Sequence, residues 1–131
     1  MIIVDSSVWI DYFNGKITQQ TDRLDSLLGV TPIVMGDLIL TEVLQGFQND
    51  KDFRVAKDLL WSMPFVAMGG RVLALQSAMN YRSLRKKDVT VRKTIDVMIG
   101  TFCIHYQLPL LHDDRDFDPM VSFLGLKVVG T

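Results

Sequence analysis

Residues 94–118 read T-I-D-V-M-I-G-T-F-C-I-H-Y-Q-L-P-L-L-H-D-D-R-D-F-D, and this stretch decides how the rest of the chain is read. Thr94 stands as an N-cap and no proline intervenes before Pro109, so the spacing predicts a helix. At about 100° per residue, Ile99, Gly100, Phe102, Cys103, Ile104 and Tyr106 gather on one face with Asp96 in its middle. Thr101 and His105 form a polar stripe on the other side. A carboxylate on an apolar helix face costs stability unless a cation, a donor or the helix N-terminus answers it. Residues 108–111 then read as a short buried strand, and Asp113, Asp114, Asp116 and Asp118 follow it directly. A buried acid entering a helix and an acid cluster leaving the next strand are the expected two walls of a metal site.

The same alternation runs outward from there. Residues 1–4 are apolar and β-branched at Ile2, Ile3 and Val4, the signature of a buried strand. Asp5 ends it, and Ser6 or Ser7 is placed to cap the helix that follows and stops at Asn14-Gly15. Residues 18–28 read as a second helix and 32–35 as a strand. Asp37 caps a largely buried helix over 38–47, in which Glu42 lies over Leu38 and Ile39. Residues 50–61 form an amphipathic helix with Phe53, Val55, Ala56, Leu59 and Leu60 inward, and 65–68 a third strand. A long helix over about 71–86 is expected to turn Val72, Leu75, Ala78 and Met79 inward. A helix near 119–124 and a strand over 126–129 complete the chain. Short apolar strands alternating with helices predict one three-layer α/β/α domain over 1–131 with a mainly parallel sheet. Ligands of such sheets bind beyond the carboxyl ends of the strands, the edge that Asp5 and the 113–116 cluster share.

Composition narrows the function. With 131 residues, 48% of them hydrophobic and 22% charged, the chain can bury a real core and is not disordered. Cys103 is the only cysteine and falls in the buried helix, so no disulfide framework exists. No charged leader with an apolar run opens the chain, no apolar run reaches membrane-spanning length, and a reducing cytoplasm is the expected location. Glu42 is the only glutamate, so its place in an apolar helix stands out. Net charge is −1, yet Arg82, Arg85 and Lys86 share one helix face, with Arg92 and Lys93 close behind.

Hard divalent cations such as Mg²⁺ take oxygen ligands, and a cation relieves the repulsion between gathered carboxylates. A metal there can activate water and stabilise the oxygens of an in-line phosphoryl displacement. No cysteine–histidine cluster offers a zinc site, and no glycine-rich phosphate loop is present. Each residue taken alone also has a plain reading: Asp5 as a turn or cap residue, Asp96 as a helix-dipole acid, Glu42 as a helix-edge acid, the basic run as a solvated face. Their joint placement, a basic arm just before an acidic pocket, points to a polyanion held near a metal.

Four stretches, M-I-I-V-D-S-S-V-W-I-D-Y-F, T-E-V-L-Q-G-F, T-I-D-V-M-I-G-T and L-P-L-L-H-D-D-R-D-F, resemble the PIN-domain ribonucleases of the VapC toxin type, in order and across essentially the whole chain. The resemblance implies a PIN-like fold in which Asp5, Glu42 and Asp96 hold Mg²⁺ or Mn²⁺ and Ser7 supports the first aspartate. It puts the fourth acid on Asp114, with Asp113 and Asp116 open as alternatives. His112 stands where many relatives carry threonine or serine. It further implies an endoribonuclease toxin with single-stranded or looped RNA as substrate, a homodimer, and a VapB-type antitoxin as partner. Two rivals remain at this level. One is an aspartyl-phosphate protein of the receiver or phosphatase kind, against which Ser7 stands where a phosphatase needs its second aspartate. The other is an RNA-binding PIN domain without turnover.

Overall fold

Three successive buried residues, Ile2–Val4, form the first strand, β1, covered on both faces as its unbroken apolar run requires. The computed structural model describes residues 1–130. Ile33–Gly36 (β2), Phe65–Val66 (β3) and Leu110–Leu111 (β4) complete a four-stranded parallel sheet of order β3-β2-β1-β4. Ile3 pairs with Val34 on one side and Leu110 on the other, and is fully buried.

Parallel neighbours need crossovers, and here each is a pair of helices. Ser6–Phe13 (α1) and Gln19–Leu27 (α2) join β1 to β2, Asp37–Leu44 (α3) and Asp50–Trp61 (α4) join β2 to β3, and Arg71–Lys86 (α5) and Thr94–Tyr106 (α6) join β3 to β4. A 3-10 turn, Arg115–Phe117, leads into Asp118–Leu124 (α7). The chain steps from β1 to β2 to β3 in one direction and then returns past β1 to β4. Right-handed crossovers therefore put α1 to α4 on one face and α5 and α6 on the other. The packing agrees, α1 lying on α2 and α3, and α5 on α6 and α7. The reversal makes the crevice beyond the carboxyl ends of β1 and β4 the topological switch point.

Local chemistry closes the elements. Thr18 and Thr21 form a reciprocal capping box at α2, and the Asn49 side chain accepts from the amides of Lys51 and Asp52 at α4. Gly36 ends β2 where Met68 presses against it, since a Cβ there would lie 2.2 Å from the Met68 sulfur. The Met68 amide in turn donates to Asp37 Oδ1 at 2.9 Å. This fixes the segment that feeds α5.

The structure corrects several expectations. On α5, Val72, Leu75 and Met79 are 61%, 64% and 57% exposed and Ala78 is exposed as well, while Leu73, Ser77 and Leu84 face inward. On α4, Ala56 and Leu60 are buried but Phe53 and Val55 are exposed. In both helices apolar residues lie on two faces, and the neighbouring element selects which is covered. Thr101 is buried, not part of a polar outer stripe, because Asn80 of α5 donates to its hydroxyl at 3.0 Å. Asp5 itself, not Ser6 or Ser7, is the N-cap of α1. Residues 126–129 form no full strand: one bridge joins Leu110 to Val128. Helix α3 ends at Leu44, with Ile39 and Val43 its buried residues. No helix among the described residues is long and apolar enough to cross a membrane.

Candidate metal centre

Asp5 is delivered by β1. Its amide donates to the Leu111 carbonyl at 2.8 Å, which ties the ends of β1 and β4 together. Its Oδ2 accepts from the Ser7 amide at 3.0 Å and from the Ser7 hydroxyl at 2.6 Å. The Ser7 hydroxyl also accepts from the Asp113 amide at 3.1 Å, linking the loops after both strands. Glu42 arrives on α3, half-buried, with Oε1 accepting from the Ser6 hydroxyl at 2.9 Å. Asp96 lies in the first turn of α6 and is buried. Elements far apart in sequence meet here because the sheet's switch point and the start of α6 open on the same crevice.

Two groups of acids result. One oxygen from each of Asp5, Glu42 and Asp96 falls within 4.8 Å of the others, and the same holds for Asp96, Asp114 and Asp116. Asp96 belongs to both. Asp113 and Asp118 are exposed and stand outside them. The turn that presents Asp114 is held by its own amide, which donates to His112 Nδ1 at 3.3 Å, and by its Oδ1, which accepts from the Asp116 amide at 2.9 Å.

Electrostatics mark the pocket as under-compensated. Burial pushes the Asp96 carboxyl up to about 7, and the fields of Asp5, Asp114 and Glu42 add to it while Lys93 opposes. Burial also raises Asp5, against the Ser7 hydrogen bonds, and raises Glu42, against the bond from Ser6. Asp5 Oδ1 and Asp96 Oδ2 are buried without any hydrogen-bond partner. An unpartnered buried polar atom costs about 1–3 kcal/mol, and two within one acid cluster are oxygens that a cation would satisfy. The donor set is all oxygen, as a hard divalent ion requires. Ligands about 2.1 Å from such an ion lie at most about 4.2 Å apart, and the oxygens of each group here all fall within 4.8 Å of one another. The residues fit a divalent metal.

The basic residues divide. Arg92 Nε lies 3.6 Å from Asp116 Oδ2, and Lys93 bears on Glu42 and Asp96. Arg82, Arg85 and Lys86 project from α5 and, among the described residues, form no salt bridge with the acids. Arg85 instead lies over the Tyr81 ring at 5.7 Å. The sequence offers Ser6 only as a helix cap, and the packing of α1 on α3 is what brings it to Glu42.

A parallel sheet with paired crossover helices and a cluster of acids at its switch point defines an α/β domain whose acids are spaced as metal ligands are. The chain belongs to the PIN domain family, whose profile matches residues 2–120, in line with the resemblance read from its four motifs. Ribonuclease VapC11 of Mycobacterium tuberculosis is 26% identical over 129 residues, covering 97% of this chain and 96% of that one. Among solved structures, VapBC2 from Rickettsia felis, bound to a DNA fragment from its promoter, aligns with a TM-score of 0.77 at 14% identity over 98% of both chains. VapBC-5 of Mycobacterium tuberculosis, a member of the VapBC family of toxin-antitoxin systems, aligns with a TM-score of 0.71 at 18% identity over 99% of this chain and 98% of that one.

Proposed function

We propose that this chain, as one domain over 1–131, is an Mg²⁺- or Mn²⁺-dependent endoribonuclease toxin, checked by a VapB-type antitoxin and acting in the cytoplasm. The observation that carries the reading is the double cluster of acids sharing Asp96, with two buried carboxylate oxygens left unpartnered. The ribonuclease name of the VapC11 relative supports RNA as substrate. The toxin-antitoxin neighbours support the antitoxin.

Asp5, Glu42 and Asp96 would hold the ion, with Asp114 and Asp116 on its outer side. The bound ion supplies Lewis-acid activation of water and neutralises charge on the phosphodiester oxygens. Ser7 steadies Asp5 for that task. Because the Asp96 carboxyl is pushed up to about 7, metal uptake there would have to displace a proton at and below neutral pH. Lys93 and Arg92 lie nearest the acids and hold RNA phosphates there, while Arg82, Arg85 and Lys86 extend the basic track along α5. The exposed apolar residues Val72, Leu75 and Met79, in the first half of α5, support a homodimer in which a second copy covers that half and leaves the basic end of the helix to RNA. Nothing favours the aspartyl-phosphate reading, since Asp5 Oδ2 is taken up by Ser7 and its Oδ1 is buried.

Asp96→Asn tests the reading, because it removes the shared ligand without changing side-chain size. The purified variant should keep the wild-type circular dichroism spectrum and lose Mg²⁺-dependent RNA cleavage. Full cleavage by a folded Asp96→Asn protein would refute the proposal.

A further inference from the structure

Ser6 and Ser7 are neighbours that serve different acids. Successive helix positions point about 100° apart, so at the start of α1 the Ser7 hydroxyl turns back to Asp5 while that of Ser6 turns across to α3. There it donates to Glu42 Oε1 at 2.9 Å over 36 positions of sequence, and among the described residues no other hydrogen bond reaches that carboxylate. Ser6 is buried. If Glu42 swung out to solvent, a buried hydroxyl would be left without an acceptor. Glu42, by contrast, is half-buried on a flexible stem and has water to turn to.

We infer that Ser6 is a positioning residue of the metal centre: its hydroxyl pins Oε1 of Glu42, so that the carboxylate is kept in the pocket and offers its other oxygen, Oε2, to the ion. Resting on the metal-centre reading above, the inference adds a residue that acts on the ion only through Glu42. Ser7 braces the acid of its own strand end. Ser6 braces an acid carried by another helix, so the first turn of α1 sets two of the three inner ligands at once.

The test is a double-mutant cycle on metal affinity. Mn²⁺ binding is measured by calorimetry for the wild type, Ser6→Ala, Glu42→Gln and the double variant, with metal-free thermal unfolding checking that each folds. Ser6→Ala should weaken Mn²⁺ binding about fivefold, the size of one net hydrogen bond, and should add nothing in the Glu42→Gln background. Its cleavage should fall in kcat with KM for RNA unchanged. Wild-type affinity in Ser6→Ala, or losses that simply add in the double variant, would overturn the inference while leaving the metal reading intact. A wild-type protein that takes up no Mn²⁺ would overturn both.

Discussion

The two acid clusters meet at Asp96 but are built differently. Asp5 and Glu42, the inner pair, stand on a strand end and a helix, and each accepts a hydroxyl hydrogen bond from the first turn of α1. Asp114 and Asp116, the outer pair, stand on a short 3-10 turn, half-exposed, held by backbone amides, His112 and an exposed Arg92. The inner pair is braced by elements packed into the core. The outer pair hangs from a turn whose position depends on how α7 packs. On the proposed reading this is a division of labour: affinity for the ion would rest on the inner acids and adjustment on the outer ones.

The largest effect should fall on the inner side. Asp5→Asn should lower RNA cleavage by about a thousandfold, the upper range for losing one preorganised electrostatic group, whereas Asp114→Asn should lower it by about tenfold. Equal losses in single-turnover assays would break the division. Next in size is Gly100→Ala. A Cβ there would lie 2.3 Å from Met120 Cε and 2.6 Å from its sulfur, with Met120 fully buried on α7. Overpacking of this kind costs about 1–3 kcal/mol, readable as a lower urea midpoint. If the outer pair depends on α7, cleavage should fall too while Mn²⁺ affinity changes little.

A pH series sharpens the comparison further. Burial pushes the Asp96 carboxyl up to about 7 in the folded chain, against 3.8 for a free aspartate, so the metal-free folded state holds more protons between those values than the unfolded one. Stability of EDTA-treated protein should therefore decline as pH rises from about 4 through 7 and level off above. Asp5 and Glu42, also raised, act in the same sense. Thermal unfolding should show a weaker decline in Asp96→Asn, and Mn²⁺ should bind more tightly at pH 8 than at pH 6 because its ligands must be deprotonated. The smallest effect belongs to Arg92→Ala. Its pair with Asp116 is exposed and weak, so stability should hardly move, and RNA binding should lose a few-fold with a shallower salt dependence.

How much of this was legible beforehand varies with the residue. Helices α4 and α5 run over the expected residues, since the breaks at Pro64 and Gly69-Gly70 are local. The caps expected at Asp37 and Thr94 instead fall one residue earlier, on Gly36 and Lys93. Asp5, Glu42 and Asp96 stood out because a carboxylate within an apolar pattern conflicts with its surroundings. The inward face of α5 is not the one periodicity predicts, as Val72, Leu75 and Met79 share a helix with a second apolar row around Leu73 and Leu84. Periodicity weighs both rows alike. Trp9 and Trp61 are equally apolar in the sequence, yet one is fully buried and the other 68% exposed.

The sequence by itself determined the order of strands and helices, the parallel sheet that their alternation demands, and which acids sit where a carboxylate is ill at ease. Each of these is encoded within a few neighbouring residues, in steric preference, capping and the contrast between apolar and charged side chains. The tertiary structure alone decided that Ser6 reaches Glu42, that Asp116 engages Arg92, that Thr101 is buried against Asn80, and which side of α5 stays uncovered. Those outcomes depend on distances between groups remote in the chain, which exist only after the layers have packed.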